Sequence, residues 1–161
     1  VLLDPASHVA NRAGLLRDLE REISRARRSK RAPLLVALKL VGLESMSNLS
    51  QRHIQHRILR SVAAKISEGL RDMDSIARIS EECFGVMVVD APSEDASKIV
   101  GRWEAELQGQ HIDDGAGGMV ELRTESSFHH CDVEALDGAD ASEIAHKLVA
   151  SVENSLMTSP S

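Results

Sequence analysis

Residues 71–89 read Arg71-Asp72-Met73-Asp74-Ser75-Ile76-Ala77-Arg78-Ile79-Ser80-Glu81-Glu82-Cys83-Phe84-Gly85-Val86-Met87-Val88-Val89. The runs 75–79 and 83–89 flank the polar triplet Ser80-Glu81-Glu82, a pattern that predicts two short strands joined as a β-hairpin. Upstream, Ile54, Ile58, Val62, Ile66 and Leu70, joined by Leu59, recur at helical spacing and predict a long helix over 47–70. Before it, 33–41 is short, apolar and opens on a proline, the signature of a buried strand. Leu15, Leu16, Leu19 and Ile23 predict an amphipathic helix over 10–29.

Downstream, Ser93 is the expected N-cap of a helix with Ala96, Ile99, Val100 and Trp103 on its inner face. Residues 109–118, with Gly115, Gly117 and Gly118, read as a long loop inside one domain. Val120, Glu121, Leu122 and Arg123 alternate, so 119–128 reads as one half-buried strand. Ser142 opens a last helix carrying Ile144, Leu148, Val149 and Val152, and 157–161 read as a frayed tail. The order α-β-α-β-β-α-β-α implies a mixed sheet with helices packed on it.

A chain of 161 residues fits one domain. Its 42% apolar and 27% charged residues describe an ordinary folded protein, not a disordered one. A net charge of −6 argues against general binding to duplex DNA or RNA, because non-specific affinity comes from neutralised phosphates. Only Phe84, Phe128 and Trp103 are aromatic, too few for a base-stacking platform. No apolar run approaches the ~18 residues that span a bilayer, and no signal segment is recognisable. The missing initiator Met points to a piece of a longer protein. Cys83 and Cys131 make no disulfide framework, so a reducing cytoplasm is the expected compartment, with the cytoplasmic part of a membrane-anchored protein as a variant of it.

At the level of motifs the chain resembles the diguanylate cyclase (GGDEF) domain family over nearly its whole length. Asp4, Asn11 and Arg12 match the family's opening D-x-L-T-G-L-x-N-R segment. The basic helix end Arg25-Ala26-Arg27-Arg28 before an apolar strand is also typical. The family's R-x-x-D-x-x-x-R is complete at Arg71, Asp74 and Arg78, and its signature falls, without a gap, on Ser80-Glu81-Glu82-Cys83-Phe84, where only Glu82 and Phe84 are compatible with it. The resemblance implies an α/β (α+β), nucleotidyl-cyclase-like fold, a mixed central sheet of about five strands flanked by helices. It places the domain at 1–156.

The family's reaction condenses two GTP molecules with carboxylate-held metal ions. The resemblance sets Lys39 at the first metal-binding Asp and Val41 at the next Asp position; Leu43 and Glu44 stand at a Phe and a Lys. Ser47 and His56 replace the guanine-reading Asn and Asp, Ser80 and Glu81 the two glycines, and Ser155 lies near the phosphate-contacting Lys. A cation at Lys39 repels magnesium, and Glu82 alone cannot hold two metals. The expectation is therefore no catalytic residue, no metal and no catalytic cofactor.

The same resemblance makes the R-x-x-D turn an inhibitory site for cyclic di-GMP. Arg71 can contact the O6/N7 edge of guanine or a phosphate, Asp74 can accept from the guanine N1–H and amino group, and Arg102 from the next helix supplies a second cation. The alternative reading of Arg71 and Asp74 is a helix-terminal cation and a turn-forming acid. The expected function is thus a catalytically inactive cyclic di-GMP receptor in bacterial second-messenger signalling, partnered by other domains of its own chain or a signalling protein, with a homodimer as one arrangement. The alternative is a ligand-free protein-interaction or dimerisation domain, for which Leu43 and Met46 would offer an apolar surface.

Other features read as structural. Arg25, Arg27, Arg28, Lys30 and Arg31 form a solvated helix end rather than a nucleic-acid or membrane patch. His53 with His56 lacks further ligands for zinc, and His129-His130-Cys131-Asp132 lies at a strand end, where neighbours point to opposite faces. Cys83 is expected to be inert, its pKa raised by Glu81 and Glu82.

Overall fold

The computed structural model describes residues 3–41, 49–108, 111–113, 119–131 and 140–158. In chain order the elements are β1 (Ala10–Asn11), α1 (Arg12–Ser29), β2 (Leu34–Val41), α2 (Leu49–Glu68), β3 (Ser75–Ser80), β4 (Cys83–Val88), α3 (Ala96–Leu107), β5 (His111–Asp113), β6 (Met119–Glu121), β7 (Arg123–His130) and α4 (Ala141–Thr158). A mixed five-stranded sheet runs β1-β3-β4-β2-β7, with β1 parallel to β3 and the other neighbours antiparallel. No described helix is long and apolar enough to cross a membrane.

The predicted hairpin is β3–β4, closed by the turn at Glu81 and Glu82. Helices cover both faces of the sheet. On one, Leu34, Val36, Leu38, Phe84 and Val86 meet Ile58, Val62 and Ile66 of α2 and Val100 and Trp103 of α3. On the other, Leu35, Ala37, Cys83 and Met87 meet Leu15, Leu19 and Ile23 of α1 and Ala145, Val149 and Val152 of α4. β2 is buried on both sides from Leu34 to Leu38, which is why it reads as an unbroken apolar run. α1 lies so close to β4 that a Cβ on Gly85 would stand 2.7 Å from Leu15 Cδ2.

Several sequence expectations need correction. The helix expected from residue 10 begins at Arg12, because Ala10 and Asn11 pair with Ala77 and Arg78, and the Asn11 side chain caps α1 by accepting from Gly14 N–H at 3.0 Å. The cap position of α3 is Asp95, not Ser93; a 3-10 turn, Ser93–Asp95, precedes the helix. The single strand expected over 119–128 is two, since β6 pairs with β5 and β7 with β2, and the buried Leu122 marks the change of partner. The loop expected over 109–118 contains β5; its remaining residues lie outside those described. α4 continues through Thr158, past the expected start of the tail.

Candidate functional site

α2 ends with two tight bonds, Gly69 N–H to Ile66 O at 3.1 Å and Leu70 N–H to Ser67 O at 3.1 Å. The chain then turns back through Arg71 and Asp74. Asp74 N–H donates to Arg71 O at 2.9 Å, and Asp74 Oδ2 accepts from Arg71 N–H at 3.0 Å and from Arg71 Nε at 3.3 Å. Asp74 Oδ1 accepts from Val89 N–H at 2.9 Å, and Arg71 Nη2 donates to Val89 O. The pair therefore clasps the turn to the end of β4. Their exposures differ: the Arg71 side chain is 51% exposed and the Asp74 side chain 3%.

α3 faces this turn. Asp95, Ile99 and Arg102 are spaced four and three residues apart, on one face of the helix. Arg71, Asp74, Arg102, Asp90, Asp95 and Trp103 line one cavity of about 370 Å³, within the size range of small-molecule sites. The three residues singled out from sequence, Arg71, Asp74 and Arg102, thus come together. The structure adds Asp90, Asp95 and Trp103. Asp95 makes no capping bond with its side chain. Its i, i+7 spacing to Arg102 was a legible signal, although at a helix start an Asp reads first as a cap. Asp90, with φ 57 and its side chain 4.0 Å from Arg25, carried no sequence signal.

Arg78 is committed elsewhere. It meets Asp4 at 3.3 Å and donates to Glu81 O at 2.9 Å, tying the N-terminal segment to the hairpin turn. Burial pushes the Asp4 carboxyl upward, but hydrogen bonds from the Ser7 hydroxyl and N–H, with Arg78, outweigh it and hold the pKa below the usual value.

A second cavity, also about 370 Å³, is lined by Lys39, Ser80, Glu81, Glu82, Cys83 and Glu153. Lys39 lies in register between Cys83 on β4 and Glu125 on β7. Glu153 pairs with Arg12 at 2.8 Å. A carboxylate-held metal fits this set poorly: the Lys39 ammonium lines the same cavity as the glutamates, and among the described residues no three His, Cys, Asp or Glu side chains are arranged to hold an ion. His129 meets Ser155 Oγ at 3.1 Å while His130 meets Ala91 O at 2.8 Å, so the adjacent histidines diverge. Leu43, Glu44, Met46, Ser47 and Asp132 lie outside the described residues.

The Cys83 thiol is pushed up to about 12, first by burial and then by Glu153; Glu81 and Glu82, expected from sequence to raise it, are not the cause. Because an unfolded thiol ionises near its ordinary value of about 8.5, burying this neutral thiol favours the fold below that pH, and the advantage is lost as pH climbs toward 12. Iodoacetamide at pH 8 is expected to leave Cys83 unmodified in the folded protein and alkylate it after denaturation. Rapid alkylation of the native state, located by peptide mass spectrometry, contradicts the assignment.

The family model described as "Diguanylate cyclase, GGDEF domain" matches residues 1–155. No curated protein matches the chain. Among solved structures, the GGDEF domain of FimX from Pseudomonas aeruginosa superposes with a TM-score of 0.78 at 16% identity, covering 100% of this chain and 97% of that one. The coiled coil and GGDEF domain of DgcB from Caulobacter crescentus, solved in complex with c-di-GMP, gives 0.80 at 14% identity, covering 97% and 78%. The diguanylate cyclase SiaD from Pseudomonas aeruginosa, in complex with its activator SiaC, gives 0.77 at 19% identity, covering 95% of this chain and 57% of that one. At these identities the likeness is one of fold.

Proposed function

The chain belongs to the GGDEF, diguanylate cyclase, family, and from that premise we propose that it works as a cyclic di-GMP receptor, a regulatory module in bacterial second-messenger signalling that has given up the cyclase reaction. The observation that carries this reading is the cavity where Arg71, Asp74 and Arg102 meet. Arg71 spends Nε and Nη2 on Asp74 and Val89 and keeps Nη1 and an exposed face. A guanidinium held in this way is already ordered, so less entropy is lost when it grips a base edge or phosphate. Arg102 supplies the second fork. Asp74 contributes chiefly by bracing Arg71, since so little of its carboxylate is open to a ligand. DgcB, solved with c-di-GMP, supports the ligand class.

Loss of catalysis is supported by the second cavity. Two-metal phosphoryl chemistry needs carboxylates at both ends of the metal pair. Here Lys39 puts a positive charge in that space and Cys83 a neutral thiol. The ligand would act by binding one arrangement of this domain and a neighbouring domain or protein more tightly than another, and can shift that equilibrium only by the difference. SiaD with its activator SiaC is an example of such a protein partner in the same fold.

Calorimetric titration tests the reading. Cyclic di-GMP should bind the wild-type domain at micromolar concentration, and Arg71→Ala or Arg102→Ala should each weaken it by about tenfold or more. GTP with magnesium should give no product. The absence of heat with wild type removes the receptor reading, and turnover of GTP removes the loss of catalysis.

A further inference from the structure

Asp90, Ala91 and Pro92 line the candidate site, and the same three residues line a neighbouring cavity of about 580 Å³ together with Lys30, Arg31 and His130. They form a partition with open space on either side. Asp90 and Ala91 are half-buried and Pro92 is exposed, and it is Ala91 that rests against the core layer beneath α2 and α3. A segment with so little packing is placed chiefly by its hydrogen bonds. Before it, Val89 N–H donates to Asp74 Oδ1 at 2.9 Å, and Val89 O accepts from Arg71 Nη2. At its far end Pro92 O accepts from Asp95 N–H at 3.0 Å. Between these points Asp90 has a φ of 57, a left-handed conformation that a residue with a side chain adopts only at a cost. Its nearest cation, Arg25, stands 4.0 Å away, too far for a hydrogen bond. The bond that holds the middle is from His130 Nε2 to Ala91 O, 2.8 Å long. A carbonyl oxygen can only accept, so Nε2 carries the proton.

We propose that His130 is a positioning residue for the ligand cavity: it pins the partition from β7 and so keeps Val89 O where Arg71 is braced against it. His130 stands in register with Leu34 of β2, so the sheet fixes the backbone from which it reaches. The peptide between Val89 and Asp90 carries the oxygen to which Arg71 donates. Rotation about φ of Asp90 turns that peptide. With Ala91 released, Asp90 is free to leave its costly conformation, and the peptide turns with it. The guanidinium of Arg71 then loses the alignment of its open edge, although no atom that touches the ligand has changed. This inference rests on the receptor reading and adds to that site a residue from outside its lining.

A calorimetric series tests it. His130→Ala should weaken cyclic di-GMP about fivefold, and His130→Gln, whose amide N–H can reach the same carbonyl, should restore affinity to within about twofold of wild type. In the Arg71→Ala background the further change to His130→Ala should alter affinity by less than about twofold, because the residue through which it acts is already gone. Without ligand, His130→Ala should speed hydrogen exchange of the Val89 amide, which Asp74 protects, and His130→Gln should slow it again. Wild-type affinity in His130→Ala overturns the inference and leaves the receptor standing. So does a glutamine variant as weak as alanine, or the same fivefold loss with and without Arg71, which would mean a general loosening of the fold. A wild-type domain that binds no cyclic di-GMP overturns the receptor reading and this inference together.

Discussion

Asp74→Ala is expected to destabilise the domain by about 2–4 kcal/mol and to weaken cyclic di-GMP binding by up to as much as Arg71→Ala does. The carboxylate accepts from Val89 N–H, Arg71 N–H and Arg71 Nε while almost wholly buried. Alanine leaves the Val89 amide without an acceptor at a position that is 2% exposed, and a buried donor left unpaired costs about 1–3 kcal/mol. It also frees Arg71 to swing, which removes the ordering that lets its remaining edge meet a ligand. Urea unfolding at constant slope reads the first effect and calorimetry the second. Asp74→Asn keeps one acceptor oxygen and should fall between alanine and wild type. A stability within about 0.5 kcal/mol of wild type would show that the clasp does not hold the turn.

Phe84→Ala should cost more, about 3–5 kcal/mol. Phe84 is fully buried on β4, in register with Leu38 of β2, and belongs to the core layer beneath α2 and α3. Removing the ring leaves a void that rigid strands on either side cannot close, so both the transfer energy and the lost contacts count against the fold. The same layer holds Trp103, so the loss should also loosen the wall of the candidate site. A midpoint shift of less than about 1 kcal/mol would mean that the layer collapses onto the void, contrary to the packing described here.

The hairpin, the long helices and the doubly buried β2 could be read from local pattern because periodicity and burial coincide there. β2 is apolar throughout since helices cover both its faces, and α1 shows its stripe at Leu15, Leu19 and Ile23 since only one of its faces is covered. The break between β6 and β7 could not be read in this way. The alternation of Val120, Glu121, Leu122 and Arg123 is continuous, and only the choice of strand partner divides it. At the candidate site, Arg71, Asp74 and Arg102 were legible through their spacing, whereas Trp103 read simply as core.

Taken alone, the order of residues established the family, the α/β layering and the three side chains that converge beside α3, because these depend on spacing along the chain. Only tertiary structure decided their roles. The end of β4 supplies Val89 as a backbone partner, so Asp74 turns inward to brace and Arg71 keeps a free edge. The packing of α3 against the sheet leaves the Trp103 N–H buried without an acceptor among the described residues. Hydrogen-bond commitment depends on which atoms meet across the fold, between segments far apart in sequence, and local pattern carries no record of those meetings.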